Sequence, residues 1–201
     1  EDLAEAVAKG LGIELPAPMP RALRSPPAPE VSRSKALSLF ALPGDGGIAT
    51  RKIAILIADG IESATVTALL GALADAGAVP RLLGLRLGSV RGSDGERFEI
   101  DATLENSPSV LFDAMVLPAG EEALRALEAA GQTAEFIKDQ YRHGKTILAL
   151  GTSARLLAGL GIATNLPDGE PDPGLTSDAR AFIAAVARHR HPERDRDPPA
   201  I

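Results

Sequence analysis

The chain has 201 residues, 45% of them apolar and 24% charged, with a formal net charge of −6. That length suits one domain with an appendage, and the apolar share is enough for a core. Cysteine and tryptophan are absent and aromatic residues reach only 3%. This excludes disulfides, thiolate metal sites and a cysteine nucleophile, and argues against base-stacking platforms. The acidic balance argues against a broad phosphate-binding surface, so no nucleic-acid partner is expected. The composition is that of a soluble, cytoplasmic domain. Because the chain opens on Glu1 rather than methionine, it reads as a fragment, or as a processed or trimmed chain.

Residues 2–11 read as a short helix with Leu3, Ala6 and Val7 on one face. Pro16, Pro18, Pro20, Pro26, Pro27 and Pro29 follow, and that density of missing N–H donors makes residues 14–34 an extended linker. Residues 36–42 (ALSLFAL) are too apolar to float free and are expected to lie against a neighbouring surface. They follow Arg33 and Lys35 like a signal core but sit too far inside the chain. From residue 52 the pattern alternates. Residues 52–58 (KIAILIA) form a buried strand. Val66, Leu69, Leu70 and Leu73 mark a helix face, with Gly77 at its C′ position. Residues 79–84 are a second strand, with Pro80 at its start or on a sheet edge. Residues 89–91 and 97–100 flank the turn Ser93-Asp94-Gly95 as a hairpin. Residues 113–117 and 146–150 are buried strands. Residues 121–130, 133–143 and 154–160 are helical, with Gly131 separating the first two. Residues 165–174 are a loop, Ser177 caps a last helix through Ala187, and residues 192–201 form a frayed tail. The one long apolar window, 146–164, holds Arg155 and three glycines, so no membrane partner is expected.

Strands separated by helices imply a flavodoxin-like doubly wound α/β fold, a parallel sheet with helices on both faces, preceded by the extended N-terminal linker. Ligands of such sheets bind beyond the strand C-termini. That directs attention to residues 58–63, 117–121 and 150–154. Gly151-Thr152-Ser153-Ala154-Arg155 is one glycine short of the G-x-S-x-G nucleophile elbow. A serine hydrolase would need one of the three histidines within reach of Ser153. His143 belongs at the opposite sheet edge, however, and His189 and His191 at the end of the last helix. Ser153 is therefore expected to cap a helix, and Gly151-Thr152-Ser153 to be a turn rather than an anion cradle. Flanking arginines argue against metal at His189 and His191, which read as a solvated helix end. Glu62 suits the first turn of a helix, although it could serve as an acid or base. Tyr141, with Ala134 and Ile137, reads as a packing residue.

Several segments carry a resemblance that covers the chain: RKIAILIADGIESATV (51–66), IDATLENSPSVLFDAMVLPAG (100–120), FIKDQYRHGKTILALG (136–151) and LPDGEPDPGL (166–175). Together they resemble the C-terminal domain of large-subunit monofunctional haem catalases, a domain similar to the PfpI-type branch of class I glutamine amidotransferase-like proteins. By this resemblance residues 1–13 are the end of the catalase core's helical region, 14–50 a Pro-rich linker, 51–191 the amidotransferase-like domain and 192–201 a disordered tail. The family decomposes hydrogen peroxide at a haem held in the core, so no cofactor is implied for this chain. Tyr141, in KDQYRHGK, does not match the haem-tyrosine motif. Active PfpI-like relatives use an elbow cysteine, a glutamate from the first strand–helix turn and often a histidine. The elbow here falls at Leu150-Gly151 and the carboxylate near Glu62 or Ala64. A nucleophile is lacking, so no catalytic residue is expected, and Glu62, Gly120, Leu150, Gly151 and Ser153 are left as vestigial pocket positions. The implied partners are the catalase core and sister subunits of a homotetramer. Self-association, or holding of unfolded clients, is an expectation for the isolated chain. The alternatives are a hydrolase using Ser153 and an anion- or small-ligand-binding module at the strand ends.

Overall fold

The computed structural model describes residues 2–20, 25, 27–31, 34–37 and 46–196. Two compact units are present, Glu1–Leu42 and Pro43–Ile201. In the first, α1 (Asp2–Gly10) ends through Leu11, Gly12 and Ile13, whose N–H groups return to Val7, Lys9 and Ala8. Ala8 is buried, while Leu3, Val7 and Leu11, one turn apart, are 79%, 52% and 68% exposed. Residues 14–20 are irregular and exposed. Of the apolar segment 36–42, only Ala36 and Leu37 are described. They lie in a 3-10 turn, Lys35–Leu37, and both are exposed rather than laid on a surface. Residues 38–42 lie outside the described residues.

The second unit is built on β1 (Lys52–Leu56), α2 (Ser63–Asp75), β2 (Val79–Gly84), β3 (Ser89–Arg91), β4 (Arg97–Glu99), β5 (Ala102–Thr103), β6 (Ala114–Leu117), α3 (Glu121–Glu128), α4 (Gly131–Arg142), β7 (Thr146–Ala149), α5 (Ala154–Gly159), β8 (Leu175–Thr176) and α6 (Ala179–Ala187). Six strands form a parallel sheet in the order β5-β2-β1-β6-β7-β8, and β3 and β4 form a separate antiparallel hairpin. The unbroken apolar runs of β1 and β6 occupy the centre with almost no exposed side chain, as strands covered on both faces require. Val66, Leu69 and Leu73 bury one face of α2. Gly77, at φ 78°, ends that helix, with Ala78 N–H returning to Leu73. Pro80 is tolerated in an interior strand because β5 reaches only Leu83 and Gly84.

Some expectations needed correction. Asp178, not Ser177, caps α6, its carboxylate accepting the Ala181 N–H. Gly131 is the first residue of α4 rather than a spacer. The two-residue strands β5 and β8 carry too little pattern to be seen in the sequence. The largest difference is at the C-terminus. Pro192–Arg196 forms a 3-10 turn, and His191 and Arg194 are buried, at 0% and 3% exposure. His189 closes α6 at φ 70°, taking the left-handed position usually left to glycine. The following turn then inserts Arg194 beside the start of β7. Its guanidinium pairs with Asp172 (2.6 Å), donates to the Lys145 carbonyl (2.5 Å) and lies over the Tyr141 ring at 4.5 Å. His191 Nε2 meets the Thr146 hydroxyl at 2.9 Å. The sequence shows only charge and proline there, and the acidic partner, Asp172, sits in a distant loop. Among the described residues no helix is long and apolar enough to cross a membrane.

Burial, reinforced by the Arg194 and Arg188 guanidinium groups, pushes His191 down to about 4. The unfolded chain would protonate this ring near pH 6.5. Between those values the unfolded state binds the extra proton, so stability present above pH 6.5 is lost as the pH falls to about 4. The expected loss is on the order of 3 kcal/mol. Urea midpoints measured at pH 7 and pH 4.5 check it, and His191→Gln should flatten the difference.

Candidate functional site

The chain enters the sheet at β1, moves outward through β2 and β5, and returns on the other side of β1 at β6. This reversal places the topological switch point between β1 and β6, where doubly wound sheets bind ligands. The loops after β1, β6 and β7 are joined there by main-chain contacts. Glu62 N–H donates to the Ala119 carbonyl (2.9 Å) and Leu150 N–H to that of Leu117 (2.9 Å). Gly120, at φ 135°, lies so near the β1 loop that a Cβ would stand 2.5 Å from the Gly60 carbonyl oxygen and 2.9 Å from Ile61 Cα.

Gly151 carries the bend after β7 at φ 56°. This is the left-handed turn by which a nucleophile elbow presents its side chain, and here the residue has none. Ser153 is the N-terminal boundary of α5, but its hydroxyl makes no cap bond. It is fully buried and donates to the Pro118 carbonyl at 2.5 Å. The helix-capping role is thus corrected to a tie between the β6 and β7 loops. Glu62 stands at the start of α2, exposed, and accepts the Thr65 hydroxyl at 2.6 Å. Leu150 is half-buried. Glu121 at the start of α3 pairs with Arg155 at 3.0 Å. Hydrogen bonding from Thr152, then from Arg155, holds its carboxyl below the ordinary glutamate range.

The histidines are elsewhere. His143 caps the C-terminus of α4. His189 Nε2 lies 4.0 Å from Asp113, just before β6, and His191 bonds to Thr146 at the start of β7. All three sit at the strand N-termini, a sheet's length from Ser153, so the Ser153 hydrolase arrangement is not assembled. Desolvation by burial, with Arg190 adding to it, lowers His189 as well. The helix-end reading of His191 as solvated is corrected by its complete burial. Among the described residues there is no group of three His, Asp or Glu placed to hold a metal ion.

The hairpin covers the β1 loop. Gly60 N–H donates to the Arg91 carbonyl and Ser93 N–H to that of Ile61, both at 2.8 Å. Arg91 N–H donates to Asp59 at 2.8 Å. The Ser63 hydroxyl donates to Asp94, whose carboxyl is held low by that bond and by the Glu96 N–H. Between hairpin, β1 loop and α3 lies a cavity of about 450 Å³, lined by Asp59, Gly60, Arg91, Arg97 and Glu122 among others. Sequence reasoning takes in Asp59 through the segment 58–63 but does not count Arg91, Arg97 or Glu122 among its site candidates. The hairpin itself is legible there, and carrying its register through would set Arg91 opposite Arg97.

Residues 49–195 match the family described as the C-terminal domain found in long catalases. The chain is 37% identical over 198 residues to catalase HPII of Pseudomonas putida, covering 96% of this chain and 26% of that protein. It is 31% identical over 200 residues to catalase-2 of Bacillus subtilis, covering 96% of this chain and 27% of that one. The chain therefore spans about a quarter of the length of the catalases it matches. Among solved structures, Drosophila melanogaster DJ-1beta aligns with a TM-score of 0.59 at 21% identity, over 71% of this chain and 91% of that one. A cysteine-to-alanine mutant of a DJ-1 superfamily protein from Salmonella typhimurium aligns with a TM-score of 0.58 at 22% identity, over 68% and 86%. At these identities the likeness shows the fold, a flavodoxin-like sheet of the DJ-1/PfpI kind. The family match and the relatives together establish that this chain belongs to the C-terminal domains of long catalases.

Proposed function

We propose that the chain is a non-catalytic accessory domain whose work is to dock on and stabilise a long, peroxide-decomposing catalase in the cytoplasm. The observation that carries this reading is the elbow, where Gly151 holds the nucleophile's backbone conformation without a side chain. The buried hydroxyl of Ser153, spent on Pro118, supports it. Haem, in this reading, belongs to the remainder of the catalase. Tyr141, the only tyrosine, is 1% exposed and covered by Arg194, which does not fit an axial ligand.

A docking surface is supported by the 3-10 turn Ser109–Leu111. Val110 and Leu111 are 72% and 51% exposed. The Ser109 carbonyl is held by two buried donors, Gln140 (2.7 Å) and Lys145 (2.8 Å), which fixes the apolar pair outward. In the long catalase, Val110→Asp with Leu111→Asp is expected to lower the thermal inactivation temperature by roughly 5 °C with turnover per haem unchanged. A turnover loss at full haem content, with no change in subunit association, would overturn the docking role.

The exposed stripe Leu3, Val7 and Leu11 supports self-association or client holding by the isolated chain. Light scattering of a denaturing client, with and without the chain at equal concentration, tests this. Suppression is the expected result. Ser153→Ala is expected to cost about 1 kcal/mol of stability, the worth of a buried hydrogen bond. It should leave ester and amide hydrolysis at the background seen with the parent chain. Turnover that Ser153→Ala abolishes would restore the hydrolase reading.

A further inference from the structure

The cavity over the β1 loop is flanked by two arginines that a free hairpin has no reason to keep. Arg91 on β3 and Arg97 on β4 are register partners. Directly opposed side chains on one face of an antiparallel pair have Cβ atoms about 4.5–5.5 Å apart, and like charges so placed repel. Val90 and Phe98, the next pair along, turn their side chains to the core, and Phe98 is buried. Both arginines therefore stand on the opposite, exposed face, and both border the cavity. Neither side chain makes a hydrogen bond or an ion pair with any described residue. Asp59, a carboxylate of the β1 loop, is engaged by the Arg91 main-chain N–H. Glu122 lies over Gly60 on the facing wall, where a Cβ on Gly60 would meet its side chain at 2.6 Å.

The hairpin is also pinned rather than loose. Its turn is tied to α2 by Ser63 and Asp94, and β3 and the turn are each tied to the β1 loop by one main-chain bond, through the Arg91 carbonyl and the Ser93 N–H. Two exposed cations are thus held together on a fixed frame, facing the carboxylates of Asp59 and Glu122. They border a cavity of about 450 Å³, within the range of small-molecule sites. It lies over the β1 loop and beside α3, at the strand C-termini, where doubly wound sheets take ligands. A fully anionic ligand would satisfy the arginines but meet Asp59 and Glu122. A ligand with an anionic group at one end and a hydroxyl or amino donor at the other satisfies both walls.

We propose that the cavity bordered by Arg91, Arg97 and Glu122 binds a small organic anion, a carboxylate or phosphate ester, that carries a hydroxyl or amino donor. The arginines take the anionic group in charge-assisted, fork-shaped hydrogen bonds, and Glu122 accepts from the donor. Binding relieves the repulsion between the cations, so the ligand also tightens the hairpin.

Titration calorimetry on the whole chain tests this with two probes, O-phospho-L-serine for the phosphate class and 3-hydroxybutyrate for the carboxylate class. Saturable heat is expected with at least one of them below about 10 mM, and Arg91→Thr with Arg97→Thr should weaken it by about tenfold or more. Glu122→Gln should weaken phosphoserine by about threefold while leaving inorganic phosphate unchanged. A second reading is thermal. Without ligand the double threonine variant should melt higher than the parent, and the probe should raise the melting temperature of the parent alone. No saturable heat from either probe, or isotherms that coincide for parent and variant, would overturn the site.

Discussion

Asp172→Ala is expected to destabilise the domain by about 3–5 kcal/mol, the cost of stranding a buried cation. Asp172 and Arg194 side chains are 0% and 2% exposed and 2.6 Å apart. Removing the carboxylate leaves the Arg194 guanidinium in a dry slot, held only by the Lys145 carbonyl and the Tyr141 ring. It also strips an acceptor from the Gly174 N–H, bonded to Asp172 at 2.8 Å. Arg194→Ala should cost less, because the loop carboxylate keeps that N–H. The double variant should fall well short of the sum, with a coupling of about 2 kcal/mol or more in a denaturant cycle. Strict additivity would mean that the pair is not coupled in solution. Gly174 is part of the same device. A Cβ there would strike the Arg194 guanidinium and the His191 ring, so the glycine exists to let the C-terminal turn seat.

Gly120→Ala should cost about 4 kcal/mol, with Gly151→Ala near 1 kcal/mol as its internal contrast. At φ 135°, Gly120 occupies backbone space that other residues seldom enter. The added methyl meets main chain, the Gly60 carbonyl and Ile61 Cα, rather than a side chain that could swing aside. Relief would require parting the Glu62–Ala119 bond that closes the two loops. Gly151, at φ 56°, is in the ordinary left-handed region, and its methyl would meet only the Ala119 side chain at 3.3 Å. Thermal or urea denaturation of both variants checks the ranking. A reversed order would mean that the β1–β6 closure is not as tight as described.

The layered architecture was legible because it is written in local periodicity. The continuous apolar runs of β1, β6 and β7 and the three- and four-residue spacing in α2 each determine their own segment. What escaped depends on pairs far apart in the chain. Asp172 and Arg194 look like a loop acid and a tail base until the fold brings them together. His191 reads as solvent-facing because only Gly144, whose carbonyl takes its N–H at 2.8 Å, and Gly174 reveal how closely it is packed. Ser153 had the right neighbourhood for a cap, but a carbonyl from the adjacent strand's loop outcompeted its own helix. The bend after β7 falls at Gly151. The charged cavity over the β1 loop was missed because much of its wall comes from a hairpin that reads as mere connection.

Both borders of the main sheet are two-residue strands, β5 at one side and β8 at the other. Such stubs leave few free main-chain donors and acceptors in line, so another chain finds almost no template along which to zip. Fibrillar stacking through the sheet rims is thereby discouraged, and any clustering of the isolated chain has to proceed through greasy side chains instead of backbone ladders.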